Sequence, residues 1–445
     1  MNTPICDFVR SYAEKESLRL HMPGHKGTHL TGPEKYDITE IDGAGKLYEA
    51  KGIIAESEKN ASELFGCRTF YSTEGSSQCI RAMLHLAVIH ARQKDKKPLI
   101  LAARNVHKAF ISAAVLLDFD YAWLYPKESE SYLSCRVNGE MLEKYLCSVN
   151  KMPTALYLTS PDYLGNVSDI ESVSAVCKKH GILLIVDNAH GAYLNFLSHS
   201  KHPIKLGADI CCDSAHKTLP VLTGGAYLHI SDNAPSLFSE QAKSALALFG
   251  STSPSYLILQ SLDRTNAYLA DGYRDKLKAF VSQADALKQR LTDCGYSLTG
   301  DEPLKITIAT KAYGYEGTEL SDILYKQNIV CEFADPDFIV FMLTPAIGVD
   351  GLEILEKALT STPRREAILT FPPSFELPER KKSAREATFS PSKTLPVDEC
   401  ENMVLAESTV GCPPAVPIVI SGEKISKEAI ECFRYYGFTE LKVVI

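Results

Sequence analysis

Between residues 61 and 230, short apolar runs alternate with stretches of helical periodicity, and this alternation restricts the fold more than any other feature of the sequence. It is typical of β-α units, which build a mainly parallel sheet with helices on its faces. Some runs are apolar enough for strands that are buried on both faces, namely 99–103, 155–159, 182–186 and 208–212. The sequence therefore predicts an α/β fold with a mainly parallel central sheet.

The chain of 445 residues is several times longer than a typical domain of ~100–150 residues, so we expect more than one folding unit. We predict an N-terminal arm, a large domain, a smaller α/β domain and a C-terminal domain, which span residues 1–60, 61–255, 256–362 and 363–445, respectively. The smaller domain is predicted to begin with one long amphipathic helical pattern over 256–291. Pro, Ser and charged residues are frequent over 362–400, which predicts an irregular connection.

The composition argues against several classes of protein. A formal charge of −8 without a long run of either sign disfavours nucleic-acid binding. The apolar runs are shorter than the ~20 residues of a membrane helix, and the first residues lack the pattern of a secretory signal. The thirteen cysteines are scattered without a C-x-x-C pair, so we expect reduced thiols and no metal site. We predict a cytoplasmic protein that binds a small molecule.

Polar segments follow the apolar runs directly, at residues 104–107, 160–163, 187–190 and 213–217. Open parallel sheets bind their ligands beyond the carboxyl ends of the strands. We therefore expect these segments to face one crevice, in which the small molecule binds.

Lys217 follows Asp187 by one strand-helix-strand step. An amine and a carboxylate would then project from neighbouring strand ends into the same crevice. Pyridoxal phosphate needs an amine that holds it as a Schiff base, a carboxylate that keeps its pyridine nitrogen protonated, and a flat side chain against its ring. Lys217, Asp187 and His107 are the candidates for these roles, although Asp187 taken alone also fits a helix cap or a turn.

A phosphate site is predicted at residues 72–78, because they precede the helical pattern 79–89. Exposed N–H groups and the helix dipole at a helix start attract an anion, and the turn contains Gly75, Ser76 and Ser77. The same small polar residues also begin helices merely as caps. Further candidate cofactor ligands at the strand ends are His190, Ser214 and His216.

In their order along the chain, these motifs resemble those of the bacterial ornithine, lysine and arginine decarboxylases, which share the aspartate-aminotransferase fold. The segments that carry the resemblance are 21–27, 75–77, 104–108, Asp187, 214–217, 253–256, 412–417 and 421–423. They extend over nearly the whole chain. The resemblance implies that a basic L-amino acid loses CO2 to give agmatine, cadaverine or putrescine, and that Lys217 or His216 returns a proton.

The resemblance also implies a homodimer with composite active sites, in which Ser251 and Thr252 reach the phosphate of the neighbouring subunit. It assigns the segment 21–27 either to the neighbourhood of the active site or to an arm that holds the dimer together. His21 and His25 are therefore further site candidates. A metal pair at these histidines is an alternative, but the neighbouring sequence offers no acidic or cysteine ligand to complete it.

The sequence departs from the family pattern at Glu74, Gln78, Gly224 and Ser421, where the family commonly has Asn, a hydroxyl residue, Gln and Pro, respectively. Two alternatives follow. The chain fits another fold-type I pyridoxal-phosphate enzyme, such as an aminotransferase, or a non-catalytic relative that acts as a binding or regulatory subunit. Candidate acids for a basic substrate side chain, each of which also fits a solvated surface charge, are Glu332, Asp335, Asp337, Glu407 and Glu423.

Overall fold

The structure is a computed structural model, which describes residues 1–94, 96–125, 131–374, 376–408, 411 and 414–445. Cys412 and Pro413 of the C-terminal motif lie outside the described residues. The chain forms two compact units. The first consists of residues 1–98, 152–160 and 170–278, and the second of residues 99–151, 161–169 and 279–445. Within the described ranges, no helix has the length and apolar character needed to cross a membrane.

The helices and strands alternate over much of the chain. The helices are α1 (Pro4–Glu14), α2 (Gly52–Phe65), α3 (Gly75–Gln93), α4 (Lys108–Leu117), α5 (Gly139–Ser148), α6 (Ile170–His180), α7 (Ala215–Thr218), α8 (Ser236–Leu248), α9 (Tyr256–Ala270), α10 (Tyr273–Asp293), α11 (Gly317–Tyr325), α12 (Gly348–Ser361), α13 (Ala384–Thr388) and α14 (Lys427–Tyr435). The strands are β1 (Arg68–Ser72), β2 (Leu99–Ala103), β3 (Asp120–Leu124), β4 (Ala155–Thr159), β5 (Leu183–Asp187), β6 (Ile210–Asp213), β7 (Ala226–Ile230), β8 (Ser297–Thr299), β9 (Lys305–Ala309), β10 (Phe333–Ala334), β11 (Phe338–Met342), β12 (Ser392–Pro396) and β13 (Glu440–Val444).

The first unit contains strands in the order β1-β7-β6-β5-β4. Strands β4, β5 and β6 are parallel, whereas β7 is antiparallel to both β6 and β1. Every residue of β5 and β6 is buried, as expected for central strands of a covered sheet. Burial of each Leu, Ile or Val side chain in these strands stabilises the fold by roughly 1.5–3 kcal/mol. The carboxyl ends of β4, β5 and β6 consequently lie at one edge of the sheet.

The second unit contains the parallel pair β2 and β3, an antiparallel sheet with the order β10-β11-β9-β8, and the antiparallel pair β12 and β13. Parallel pairs therefore occur at β2/β3, β4/β5 and β5/β6. The predicted α/β fold with a mainly parallel sheet is confirmed. The predicted domain boundaries stay a prediction.

The observed strands agree closely with the predicted apolar runs. Two of them coincide with the predictions 99–103 and 155–159. The other two begin one and two residues later than predicted and end one residue later, so that Asp187 and Asp213 end their strands instead of following them. The carbonyl of Asp187 still accepts a hydrogen bond from the N–H of Ser160 at 3.0 Å, which continues the β4/β5 pairing to that residue.

The predicted single amphipathic pattern over 256–291 is wrong in one respect, because the structure has two helices there, α9 and α10. The chain turns at Gly272, whose φ of 69° lies in the left-handed region that favours glycine. The predicted irregular connection 362–400 is only partly correct. It contains α13, which begins with a Ser383/Glu386 capping box, and the strand β12, which pairs with β13.

Candidate active site

Lys217 lies on α7, a single helical turn that directly follows the strand β6. Its Nζ is 2.8 Å from Nε2 of His190, a buried residue on the turn that follows the neighbouring strand β5. Because β5 and β6 are parallel neighbours, both side chains come from the same edge of the sheet. The first unit therefore presents a partly buried amine in contact with an imidazole.

Asp187 ends β5 and is only 2% exposed. Its carboxylate accepts hydrogen bonds from the hydroxyl of Tyr157 and the N–H of Ala189, both at 3.2 Å. Burial raises the pKa of Asp187, while the charge of Lys217 acts in the opposite direction. A carboxylate in this state is stabilised in its ionised form by any further cation that comes against it.

The predicted phosphate turn lies at the start of α3, but this helix starts at Gly75 and not at residue 79 as predicted. Ser76, Ser77 and Gln78 therefore belong to the first helical turn. Gly75 has a φ of 71°, and open space lies where a side chain would be. The hydroxyl of Ser214 donates to that of Ser76 at 2.8 Å, which joins the turn after β6 to the start of α3. A long helix with hydroxyl groups at its start is a suitable site for an anion.

Two departures from the family pattern, Gln78 and Gly224, are explained by local contacts. Gln78 is buried, and its amide N–H groups donate to the hydroxyl of Tyr48 at 2.9 Å and to the carbonyl of Leu246 at 2.8 Å. Its side chain therefore links the start of α3 to α8 and to the segment that contains Tyr48. Gly224 has a φ of 99°, its carbonyl accepts the N–H of Gly75 at 2.7 Å, and a Cβ there would lie 2.9 Å from the carbonyl oxygen of Thr73. A larger residue does not fit at this position.

Glu74 and Ser421, the other two departures, also have specific partners. The carboxylate of Glu74 accepts the backbone N–H of Ser251 from the same chain. Ser251 and Thr252 are exposed, and their contact with a neighbouring subunit stays a prediction. Ser421 is buried, and it exchanges hydrogen bonds with Ser408 at 3.0 and 3.2 Å. Its hydroxyl is thus satisfied within the second unit.

Asp213 begins the polar segment 213–217 that is predicted to face the crevice, but its charge is buried among partners of its own. It is fully buried, and its carboxylate accepts hydrogen bonds from Asn188 at 2.7 Å, from Nε2 of His202 at 3.1 Å and from Nε2 of His229 at 3.0 Å. Burial alone would raise the pKa of Asp213, but the two imidazoles hold it below its ordinary value. Because Asn188 follows Asp187, this network fixes the end of β5 relative to the end of β6.

His216 and His107 differ in how they are held. The ring Nδ1 of His216 lies 3.0 Å from the carbonyl of Gly225, so Nδ1 carries the hydrogen and Nε2 is the basic nitrogen. His107 belongs to the second unit, where it caps α4 by accepting the N–H of Ala109 on its Nδ1. Its predicted stacking on a cofactor ring stays a prediction.

The histidines of the segment 21–27 have partners in their own region of the chain. His21 lies 2.5 Å from the hydroxyl of Tyr12, and His25 pairs with Asp37 at 3.2 Å. The choice between an active-site segment and a dimer arm stays open. This region also carries exposed large apolar side chains, namely Leu18, Leu20, Met22 and Leu30.

The candidate acids for a basic substrate side chain lie in different environments. Glu423 is buried and pairs with Arg104 at 3.2 Å, so its carboxylate is held inside the second unit. Glu407 forms an exposed ion pair, and Glu332 accepts the hydroxyl of Tyr163 at 2.8 Å. Asp335 and Asp337 are buried in the second unit. Their selection for a substrate side chain stays a prediction.

Comparison with known proteins gives consistent results. A model of the family described as "Orn/Lys/Arg decarboxylase, major domain" matches residues 3–300. The arginine decarboxylase of Bacillus subtilis is 28% identical over 96% of this chain and 92% of that protein. The arginine decarboxylase of Halalkalibacterium halodurans is 26% identical over 97% of this chain and 93% of that protein.

Solved structures show a similar fold. The Escherichia coli constitutive lysine decarboxylase has a TM-score of 0.77 at 17% identity and covers 100% of this chain and 82% of its own. The Francisella novicida lysine decarboxylase has the same TM-score and identity, with 100% of this chain and 81% of its own covered. At this level of identity the likeness concerns the fold alone.

Proposed function

The chain belongs to the Orn/Lys/Arg decarboxylase family, and from this premise we propose that it uses pyridoxal phosphate to decarboxylate a basic L-amino acid. The family model matches residues 3–300 of 445, which is more than half of the chain. The resemblance found in the motifs is thereby confirmed, as is the prediction of a decarboxylase. The cofactor and the amino acid substrate belong to the proposal.

The observation that carries the proposal is the contact of 2.8 Å between Lys217 Nζ and His190, which follow neighbouring strands, with the buried carboxylate of Asp187 at the end of β5. The residues present fit the cofactor. Lys217 offers the amine, Asp187 the carboxylate for a ring nitrogen, and the start of α3 with Ser76 and Ser214 an anion site. The open space in front of Gly75 supports the same assignment.

Each of these residues has a task in the reaction. When bound, pyridoxal phosphate supplies a sink for the electrons that CO2 leaves behind. Lys217 must lose a proton before it acts as a nucleophile, and Nε2 of His190 is near enough to accept it. Asp187 is stabilised as a carboxylate once a cationic ring nitrogen lies against it. Nε2 of His216, the basic nitrogen of its ring, takes up a proton from solvent and returns it in place of the lost carboxyl group.

Arginine is the first substrate to test, because four relatives that are 25–28% identical carry the name arginine decarboxylase. The experiment compares CO2 and amine release from arginine, lysine and ornithine at equal concentrations. We expect arginine to have the highest kcat/KM. Keto-acid formation without CO2 would favour an aminotransferase, and purified protein without the visible absorbance of bound cofactor would favour a non-catalytic relative.

We also propose that the enzyme is a cytoplasmic homodimer that contributes to polyamine formation. The exposed apolar side chains near the segment 21–27, such as Leu20 and Leu30, support association with a second copy, because a large apolar surface is costly in water. Light scattering of the purified chain tests the association. A monomer at every concentration would contradict it.

A further inference from the structure

The second unit contains a cavity of about 1090 Å³ with a wall that is more apolar than polar. Its lining includes Tyr132, Lys311, Asp337, Tyr436 and the segment 367–374. A cavity of this volume accommodates a small organic molecule, and a few polar groups in an apolar wall are typical of such sites.

Asp337 lines this cavity and carries a buried acceptor without a partner in the described part of the chain. The residue is 7% exposed. Its Oδ1 accepts the hydroxyl of Tyr435 at 2.6 Å and pairs with Nζ of Lys311 at 2.9 Å. Its Oδ2 is buried and has no hydrogen-bond partner among the described residues. Because an unpaired buried carboxylate oxygen costs free energy, a donor from a ligand would be stabilising here.

The surroundings of Asp337 are short of positive charge. Asp335 accepts the N–H groups of Asp337 and Phe338 on Oδ1, and its Oδ2 is likewise unpartnered among the described residues. Burial raises the pKa of Asp335 to about 7, and the neighbouring carboxylate adds to the rise. In the part of the chain that the structure describes, Lys311 is the only base paired with either acid. Two carboxylates therefore share one cation.

Tyrosine rings lie beside Asp337 and Lys311, and together these residues form one cluster. The ring centroids of Tyr132 and Tyr436 are 4.8 Å apart, and those of Tyr435 and Tyr436 are 5.0 Å apart. Nζ of Lys311 lies 4.9 Å from the centroid of Tyr435 while it pairs with Asp337. The cluster already holds one ammonium group between a carboxylate and a ring, which is favourable for cations.

We propose that this cavity binds a linear alkylammonium or guanidinium compound, whose charged group pairs with the carboxylate of Asp337 beside the rings of Tyr132 and Tyr436. The hydrocarbon part of the ligand contacts the apolar wall. A basic amino acid and the amine derived from it both carry such a charged group. The choice of these two candidate ligands rests on the proposed function. The cavity favours the amine over the amino acid, because an amino acid also carries a carboxylate that needs a cation. The cations in the lining, Lys311 and Arg136, already pair with Asp337 and Asp301.

The experiment is calorimetric titration of the full-length Lys217→Ala protein, in which the proposed reaction cannot proceed. Agmatine, cadaverine and putrescine are compared with arginine, lysine and ornithine, and 1-pentanol serves as an uncharged analogue of cadaverine. We expect saturable binding of at least one amine, weaker binding of its amino acid and no binding of the alcohol. Tighter binding of the amino acid would contradict the preference for the amine.

Asp337→Asn in the same background should weaken amine binding about tenfold or more, the loss expected for one charge-assisted hydrogen bond. The amide keeps an oxygen for Tyr435 and Lys311, and thermal unfolding checks that the variant folds. Tyr436→Leu tests the ring without altering the acid. The matched control is Asp398→Asn, because Asp398 is 66% exposed and pairs only with the exposed Arg434 in the described ion pairs.

Unchanged binding in both Asp337→Asn and Tyr436→Leu would overturn the proposal, as would the absence of saturable binding by any amine. A loss in the Asp398→Asn control would overturn it as well, because binding would then follow surface charge. Amine binding by the Lys217→Ala protein, together with an unsubstituted protein that releases no CO2 from any basic amino acid, would refute the proposed function and leave the cavity site intact.

Discussion

The ends of the adjacent strands β5 and β6 each carry a buried aspartate, yet the two carboxylates have opposite electrostatic environments. The pKa of Asp213 is lowered, because His202 and His229 donate to its carboxylate from inside the fold. The pKa of Asp187 is raised by burial, which Lys217 only partly offsets. Both carboxylates are almost completely buried, with exposures of 2% for Asp187 and 0% for Asp213, so the difference comes from the partners. The protein itself supplies the groups that stabilise the charge of a structural acid. An acid that binds a cationic ligand has fewer such groups around it.

The largest effect is expected from Lys217→Ala, which removes the cation near Asp187 and the amine of the proposed reaction. Turnover should fall by at least roughly 10⁴-fold, as for the loss of a nucleophile. The measurement is CO2 release together with the visible absorbance of bound cofactor. Lys217→Arg is the control, because it keeps the charge without the nucleophile and should be equally inactive. Normal amine production by either variant would refute the role of Lys217.

Asp213→Asn should destabilise the protein strongly, because it removes the buried charge and replaces one carboxylate oxygen with an NH2 group that faces the donors of Asn188 or of His202 and His229. The free energy of unfolding should fall by about 3–5 kcal/mol, the cost of breaking a buried ion pair by removing one partner. Denaturant unfolding measures this change. Asp187→Asn is the matched control on the neighbouring strand. If the two variants lost equal stability, the distinction between a structural and a ligand-directed acid would fail.

Asp187→Asn should instead affect catalysis. Loss of the carboxylate that faces the proposed ring nitrogen should lower kcat/KM on the order of 100-fold or more, as for removal of one preorganised electrostatic group. Stability should change little, because an under-compensated buried charge is removed. Asp187→Glu keeps the charge and should recover part of the activity. Full activity of Asp187→Asn would exclude the proposed role.

The smallest effect is a difference in pH dependence. The folded pKa of Asp187 is raised, so its contribution to stability is present below its unfolded value of ~3.9 and is lost as the pH rises through the folded pKa. The folded pKa of Asp213 is lowered, so its contribution is present above ~3.9 and is lost as the pH falls. Each slope is at most about 1.4 kcal/mol per pH unit. The free energy of unfolding is measured against pH, around and above ~3.9, for the parent protein and for each Asn variant. The difference between parent and variant should change with pH in opposite directions for Asp187→Asn and Asp213→Asn. Changes in the same direction would contradict the assignment.

Local patterns predicted most of the sheet and the location of Lys217. Apolar runs predict buried strands, which locates the strands 99–103 and 155–159. Ligands of parallel sheets bind beyond the carboxyl ends of the strands, which directs attention to the Lys217 segment after β6. The partners of Asp213 were missed, because His202 and His229 lie on other segments and only the folded chain brings them together. No local signal indicates such a contact.

Other errors have similar physical causes. The start of α3 at Gly75 was predicted four residues too late, because small polar residues occur both before and inside a first helical turn. The turn at Gly272 was missed, because an isolated glycine within a helical pattern does not by itself end a helix. The sequence predicts Asp335 and Asp337 only as separate candidate acids. It does not indicate their contacts with tyrosines, because Tyr132 and Tyr435 are distant from them in sequence.

The contacts of Gln78 have a consequence for the order in which the chain acquires its structure. Its side chain bonds to Tyr48, which precedes it, and to Leu246, which lies 168 residues further on. Contacts of such separation form slowly, because the intervening chain must first close a long loop. During synthesis the bond to Leu246 therefore forms only after α8 has left the ribosome, so Gln78 at the start of α3 reaches its final contacts late.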